Sequence, residues 1–238
     1  MAGTGFLNGR YAVKKDGRTY VLSHVNASCE QVKFFSAGTY TIVLSPDTVS
    51  VTVGLVGAGG AAGQGHFHKP DIFSTYWGTP GSGGGGSWIQ YTFSNEELRE
   101  ASSMELTVGS GGNTYRAAGG DTVLSVGGIV LTAGGGKGGN DGQGDGGSNG
   151  YGGAGGTASY IPETLQRVSL RNGNPGKTGV YPTGGNPQGV YDGGAGQALN
   201  AELYGKGGMN GGYGIYNVPG TGSGADGAAF IILHKERR

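Results

Sequence analysis

Residues 49 to 56, VSVTVGLV, set the clearest pattern in the chain. Val49, Val51 and Val53 alternate with Ser50, Thr52 and Gly54, a period of two with β-branched residues on one face, which predicts a half-buried strand. The same alternation runs through RYAVKKDGRTYVLSHV (10–25) around Asp16-Gly17, a pair suited to a two-residue type I′ turn. That stretch predicts a hairpin. A second hairpin is predicted from FFSAGTYTIVL, a turn at Ser45-Pro46-Asp47-Thr48, and VSVTVGLV, because proline presets φ at the second turn position. IQYTF, MELTV, TVLSV and IVLTA read as further strands, and FIIL near the end as a short buried one. One helix is predicted in SNEELREAS, where Ser94 and Glu97 have the spacing of a capping box.

Between these segments the pattern stops. Residues 64–88 carry Phe67, Phe73, Tyr76, Trp77 and Trp88 without period and read as a long surface loop. Residues 134–156, GGGKGGNDGQGDGGSNGYGGAGG, are too rich in glycine for a helix, since each interior glycine costs about 0.8–1.0 kcal/mol relative to alanine. Collagen is excluded by the irregular glycine period and the scarcity of proline. Extended polyproline-II-like chain remains. GGKGGN and GYGGAGG, with near-triplet spacing, suit a lattice in which such segments pack side by side through backbone contacts. Residues 160–219 then read as a variable, tyrosine-bearing stretch.

Composition sharpens this. Of the 57 glycines only five precede Gly54, so the valine strand divides an ordinary β segment from a glycine-dominated body. Such a glycine content ordinarily signals disorder, but only 13% of residues are charged, and disordered chains are typically kept apart by charge. The formal net charge is zero, so no basic field draws a phosphate backbone and nucleic acid is not expected as a partner. The single Cys29 cannot staple the fold. No run approaches the roughly 20 apolar residues of a spanning helix, so no membrane insertion is expected. MAGTGFLNGRYAVKK lacks the apolar core of a secretory signal. A soluble protein made in the cytoplasm is expected.

The chemical motifs are sparse. Gly57-x-Gly59-x-x-Ala62 follows a strand as a dinucleotide fingerprint does, but GQGHFHKP comes next and supplies no helix to receive a pyrophosphate. GNPGKT resembles the end of a P-loop, yet Arg171 stands where its first glycine is required. His66 and His68 point the same way on an extended chain. Two imidazoles are too few for a closed metal site, and only a threefold assembly, a homotrimer, would bring six together. No nucleophile–base arrangement emerges, so neither an enzyme nor a cofactor is expected. The loop aromatics remain. Tyr and Trp among Gly, Ser and Asn are the composition of a binding surface, and equally of rings packed against glycine faces.

The phrase Phe35-Ser36-Ala37-Gly38-Thr39-Tyr40, the proline turn, the valine strand running into VGAGGAAG, and the closing Asp226-Gly227 before AFIIL together resemble the glycine-rich domains of bacteriophage tail-fibre and adhesin proteins. LTVGSGGN and VLTAGGGKGG lie between in the same manner, and the resemblance covers roughly residues 34–234. It implies a virion tail protein whose packed polyglycine-II helices display receptor-binding loops. The expected fold is mainly β: a sandwich-like glycine-rich domain at 34–238 with polyglycine-II-type strands, long aromatic loops and one short helix. Residues 1–33 form an attachment hairpin for other tail proteins. The expected partner is a host-surface receptor, protein or polysaccharide, met by Phe67, Tyr76, Trp77, Trp88, Tyr181, Tyr191, Tyr204, Tyr213 and Tyr216. The alternative is a tail or baseplate component whose glycine body serves assembly and stability alone.

Overall fold

The computed structural model describes residues 12–15, 18–21, 29–34, 36–68, 76–142, 149–179, 205–207 and 222–235. In chain order the strands are β1 (Ala12–Lys15), β2 (Arg18–Val21), β3 (Cys29–Phe34), β4 (Gly38–Val43), β5 (Thr48–Val56), β6 (His66–His68) and β7 (Tyr76–Gly78). They continue with β8 (Trp88–Phe93), the helix α1 (Asn95–Leu98), β9 (Ser103–Val108), β10 (Thr122–Val126) and β11 (Ile129–Ala133). The last are β12 (Ala158–Ile161), β13 (Ser169–Arg171) and β14 (Ala228–Lys235). A seven-stranded sheet, β12-β11-β10-β9-β4-β1-β2, faces a five-stranded sheet, β13-β8-β5-β14-β3, and β6-β7 form a ribbon. All described pairings are antiparallel.

The core between the sheets is what period-two patterning dictates. Val51, Val53 and Leu55 on β5, Ile89, Tyr91 and Phe93 on β8, and Ala229, Ile231 and Leu233 on β14 face Tyr40 and Ile42 on β4, Met104, Leu106 and Val108 on β9, and Leu124 and Leu131 on β10 and β11. Along β4, β8, β9, β10 and β11 the buried residues alternate with more exposed ones. On the outer face of the smaller sheet, Phe230 lies opposite Gly54, and a Cβ at Gly54 would come within 1.9 Å of its ring. The ring occupies the place a side chain would take.

The predicted first hairpin is present: Lys15 pairs with Arg18 across β1 and β2, and β1 extends the larger sheet along β4. β3 pairs with β14 in the other sheet. The second predicted hairpin is corrected. The SPDT turn closes, with Thr48 N–H donating to Ser45 O at 2.9 Å, but β4 and β5 belong to different sheets. Both strands bury their alternate residues in one core, so the turn makes an arch across the sandwich rather than a hairpin within a sheet. The capping box is present as predicted, with the Ser94 side chain accepting from Glu97 N and the Glu97 carboxylate accepting from Ser94 N, on a helix of four residues. No helix among the described residues is long and apolar enough to cross a membrane.

The described glycine segments are built on a period of three. Residues 57–63 run antiparallel to residues 81–87, with Gly57, Gly60 and Gly63 N–H donating to Ser87, Gly84 and Gly81 O at 2.9 Å each. Ala58 and Ala61 donate to Gly120 and Ala117, while Gly59 and Ala62 donate to Ala225 and Gly222. Each successive N–H thus turns to a different neighbour and returns after three residues, the geometry of a threefold extended helix. The segment also accepts from Gly136 and Gly139. Residues 81–87 repeat the arrangement, donating from Gly81, Gly84 and Ser87 to Asn140, Lys137 and Gly134 and accepting from Gly153 and Gly156. Residues 134–142 and 149–156 therefore lie extended and packed against other glycine segments, as predicted; 143–148 lie outside the described residues. Residues 79–87, expected as part of a surface loop, are instead wholly buried at the centre of this lattice. The small size of their residues, which hides them from pattern reading, is what allows their burial.

Space, rather than φ, explains most of these glycines. Gly127 and Gly128, at φ 54° and 82°, make the β10–β11 turn, where left-handed geometry requires them. The lattice glycines are different. A Cβ at Gly60 would sit 2.2 Å from Lys137 O, and one at Gly83 1.9 Å from Gly60 O. Neighbouring backbones occupy the volume a side chain would need.

Candidate binding surface

The lattice and the sandwich are one continuous set of strands. β5 runs into 57–63, β9 into 109–112, β11 into 134–142 and β13 into 172–179; 79–87 runs into β8, 117–121 into β10, 150–157 into β12 and 222–227 into β14. At these junctions side-chain oxygens close lattice N–H groups: Asp121 Oδ1 accepts from Gly135, Asp226 Oδ1 from Gly111, and Asn172 Oδ1 from Ala158. One pole of the molecule is thus the sandwich and the other is the far end of the lattice.

Connections gather at that far end. Gly63 bonds Gly81, Gly142 bonds Gln64, Gly150 bonds Thr79, Gly179 bonds Gly150, and Ala62 bonds Gly222. The ribbon β6-β7 rises there directly from residues 64–65 and returns at Thr79, with Phe67 opposite Trp77 and His68 opposite Tyr76. Of the expected aromatic contacts, Phe67, Tyr76 and Trp77 therefore share one ribbon at this pole. Tyr181, Tyr191, Tyr204, Tyr213 and Tyr216 lie outside the described residues. Trp88 stands apart from the ribbon. It opens β8 at the sandwich end, paired with Val56 and Arg171, half-buried, with its indole nitrogen enclosed and unbonded. His66 and His68 lie on β6; among the described residues no three His, Cys, Asp or Glu side chains gather as a metal site.

Exposed residues that pattern reading passed over also sit on the lattice. Tyr151 is 71% exposed and Tyr115 36%. The signal for Tyr151 was the triplet: in 151–157 positions 151, 154 and 157 are exposed while Gly153 and Gly156 are buried. Arg116, between Tyr115 and the lattice, donates its backbone N–H to Ala62 O and pairs its guanidinium with Asp141 at 3.4 Å. The other Asp141 oxygen accepts from Gln64 N at 2.7 Å.

At the opposite pole a groove of about 810 Å³ lies between the outer face of β8, the helix and residues 166–169, lined by Gln90, Thr92, Ser94, Glu96, Arg167 and Ser169 among others. Beside it the Tyr91 hydroxyl donates to Glu97 Oε1 at 2.5 Å. Burial, then the adjacent Glu97, pushes the Tyr91 hydroxyl up to about 12. Burial also pushes the Glu97 carboxyl upward, but hydrogen bonds from Tyr91 and from the backbone and hydroxyl of Ser94 outweigh it and hold the group below its ordinary value. The pair braces the helix against the sheet.

A family model described as a glycine-rich domain matches residues 35–233. No curated protein matches the chain.

Proposed function

We propose that this chain, which belongs to the glycine-rich domain family, is a non-enzymatic bacteriophage virion tail protein, a tail-fibre or tail-tip adhesin that holds a host-surface receptor. One observation carries the reading: the ribbon with Phe67, Tyr76 and Trp77 stands at the far pole of a lattice fixed by backbone hydrogen bonds, where Gly179 and Gly222 also lie. Rigid support lowers the ordering cost of a binding loop, and aromatic residues supply contact area at small entropic cost. The sandwich pole, which includes the N-terminal strands, faces the neighbouring tail proteins in this reading.

A second reading, a structural tail or baseplate component, is supported by the way the glycine body is consumed in its own packing, with residues 57–63 and 79–87 buried throughout. Adsorption separates the two. Purified wild-type protein is expected to bind host cells and to block phage adsorption. Replacing Tyr76 and Trp77 together by alanine is expected to abolish both effects while the melting temperature stays unchanged. Failure of the wild-type protein to bind cells supports the structural reading instead.

A further inference from the structure

The lattice itself carries an exposed band at the pole described above. Residues 117–121, 134–142 and 150–157 are adjacent lattice strands: Gly119 bonds Gly136, and Asn140 N–H donates to Tyr151 O at 2.9 Å. Arg116 lies directly beside Gly138, where a Cβ would meet Arg116 O at 2.0 Å. Tyr115 and Arg116 lie in the turn that opens 117–121, closed by Ala117 N–H to Thr114 O, so Tyr115, the Arg116–Asp141 pair, Asn140 and Tyr151 form a band in which 134–142 separates the two tyrosines. The polar groups of this band are planar: a guanidinium 66% exposed, its carboxylate partner, and an exposed carboxamide. Tyr151 rises from a backbone flanked by Gly150 and Gly152, so no neighbouring side chain on its own strand covers the ring.

We propose that this band is a saccharide-binding site, with Tyr151 and Tyr115 stacking against the C–H faces of sugar rings and Asn140, Arg116 and Asp141 meeting their hydroxyls. The inference rests on the adhesin reading only in naming the class of its receptor. The chemistry favours a sugar over a protein surface. Aspartate is depleted at protein interfaces, whereas the Asp141 carboxylate stands at the centre of this band. A hydroxyl both donates and accepts, which suits it to carboxamide, carboxylate and guanidinium together. An aromatic ring with an exposed apolar face and a polar tip completes the set. The lattice holds these groups at fixed spacing, so little order is lost when they are engaged.

The experiment applies the full chain to an array of linear oligosaccharides and measures the best-bound one by titration calorimetry. Tyr151→Ala is expected to weaken binding about tenfold or more, as truncation of an interface aromatic does. Tyr151→Phe should remain near wild type, and both Tyr151 variants should keep the wild-type melting temperature because that ring is exposed. Tyr115→Ala is the second variant, expected to weaken binding by a smaller factor. Absence of any bound oligosaccharide overturns the proposal, as does wild-type affinity in both alanine variants. Host cells treated in parallel distinguish the two readings. If proteolysis of the cell surface abolishes binding while periodate oxidation of its glycans does not, the receptor is a protein; the saccharide site then fails and the adhesin reading stands. Oligosaccharide binding through Tyr151 with no attachment to cells has the opposite meaning.

Discussion

In the sandwich every second residue of a strand supplies the packing, and in the lattice it is every third residue that is free of it. β9 buries Met104, Leu106 and Val108 and turns the residues between outward; residues 150–157 bury Gly150, Gly153 and Gly156 and expose Tyr151, Ala154 and Thr157. The energetics differ as much as the periods. A buried leucine or valine contributes about 1.5–3 kcal/mol through apolar area removed from water. A lattice glycine buries almost none and has more conformational freedom to lose than any other residue. Offsetting that cost falls to backbone hydrogen bonds worth about 0.5–1.5 kcal/mol each, and to the close approach of chains with no Cβ between them. Sandwich strands tolerate exchange of one apolar residue for another of similar volume. At glycines such as Gly60 and Gly83, where a neighbouring backbone fills the place of a Cβ, the lattice tolerates no added side chain.

The sharpest way to break this comparison is to add one. Gly60→Val places its Cβ, and two further methyl groups, against Lys137 O. It is expected to cost about 4 kcal/mol or more, in the range where a single substitution is exceptional, and to leave little folded protein on thermal unfolding. Leu106→Ala in the core provides the scale, at about 2–5 kcal/mol. Gly138→Val should behave like Gly60→Val, because a Cβ there would meet Arg116 O at 2.0 Å. If either valine variant melts like the wild type, close packing does not hold the glycine body together.

A smaller effect concerns the helix on the sandwich. Glu97 titrates below its ordinary value in the folded chain, so its contribution is complete above the unfolded pKa of about 4.3 and is lost as pH falls through the lower folded value. Tyr91 is raised to about 12, so its contribution is complete below about 10 and is lost as pH rises beyond that. Glu97→Gln should therefore melt at a lower temperature than wild type at pH 7 and converge with it in acid. A constant difference across the acid range would remove the carboxylate from the account. The smallest effect is expected at the exposed lattice position. Ala154→Lys should change stability by no more than about 0.5 kcal/mol, although it lies within two residues of the buried Gly153 and Gly156.

How much of this could be read in the sequence follows from the same contrast. Strands β5, β8, β9, β10 and β11 and the Ser94–Glu97 cap were legible because alternation and capping are written in side chains. The arch at Ser45–Thr48 was not, since a turn signal fixes a reversal of the chain but not whether the next strand joins the same sheet. Residues 79–87 were missed for a different reason: a central lattice strand has neighbours on all sides and must lose its pattern entirely. Glycine density follows position. GNPGKTG keeps one glycine in three at the rim, GYGGAGG two in three where more sides are covered, and GSGGGGS only small residues at the centre. The GNPGKT stretch, which lacks the first glycine of a phosphate loop, is the rim case. Tyr151 became visible as a candidate contact only once that triplet was known. Trp88 was grouped with the loop aromatics by sequence proximity, and the fold separates it from the ribbon because 79–87 spans the lattice between them.

The unbroken passage from lattice strand to sandwich strand also sets how the molecule carries load. A pull applied at the far end, parallel to residues 57–63 and 134–142, is transmitted along the backbone into β5 and toward β11 without crossing a flexible joint. The transverse bonds of the lattice meet such a pull in shear, several at once, rather than peeling one after another. A strand pulled in this way is released only when a whole row of hydrogen bonds fails together.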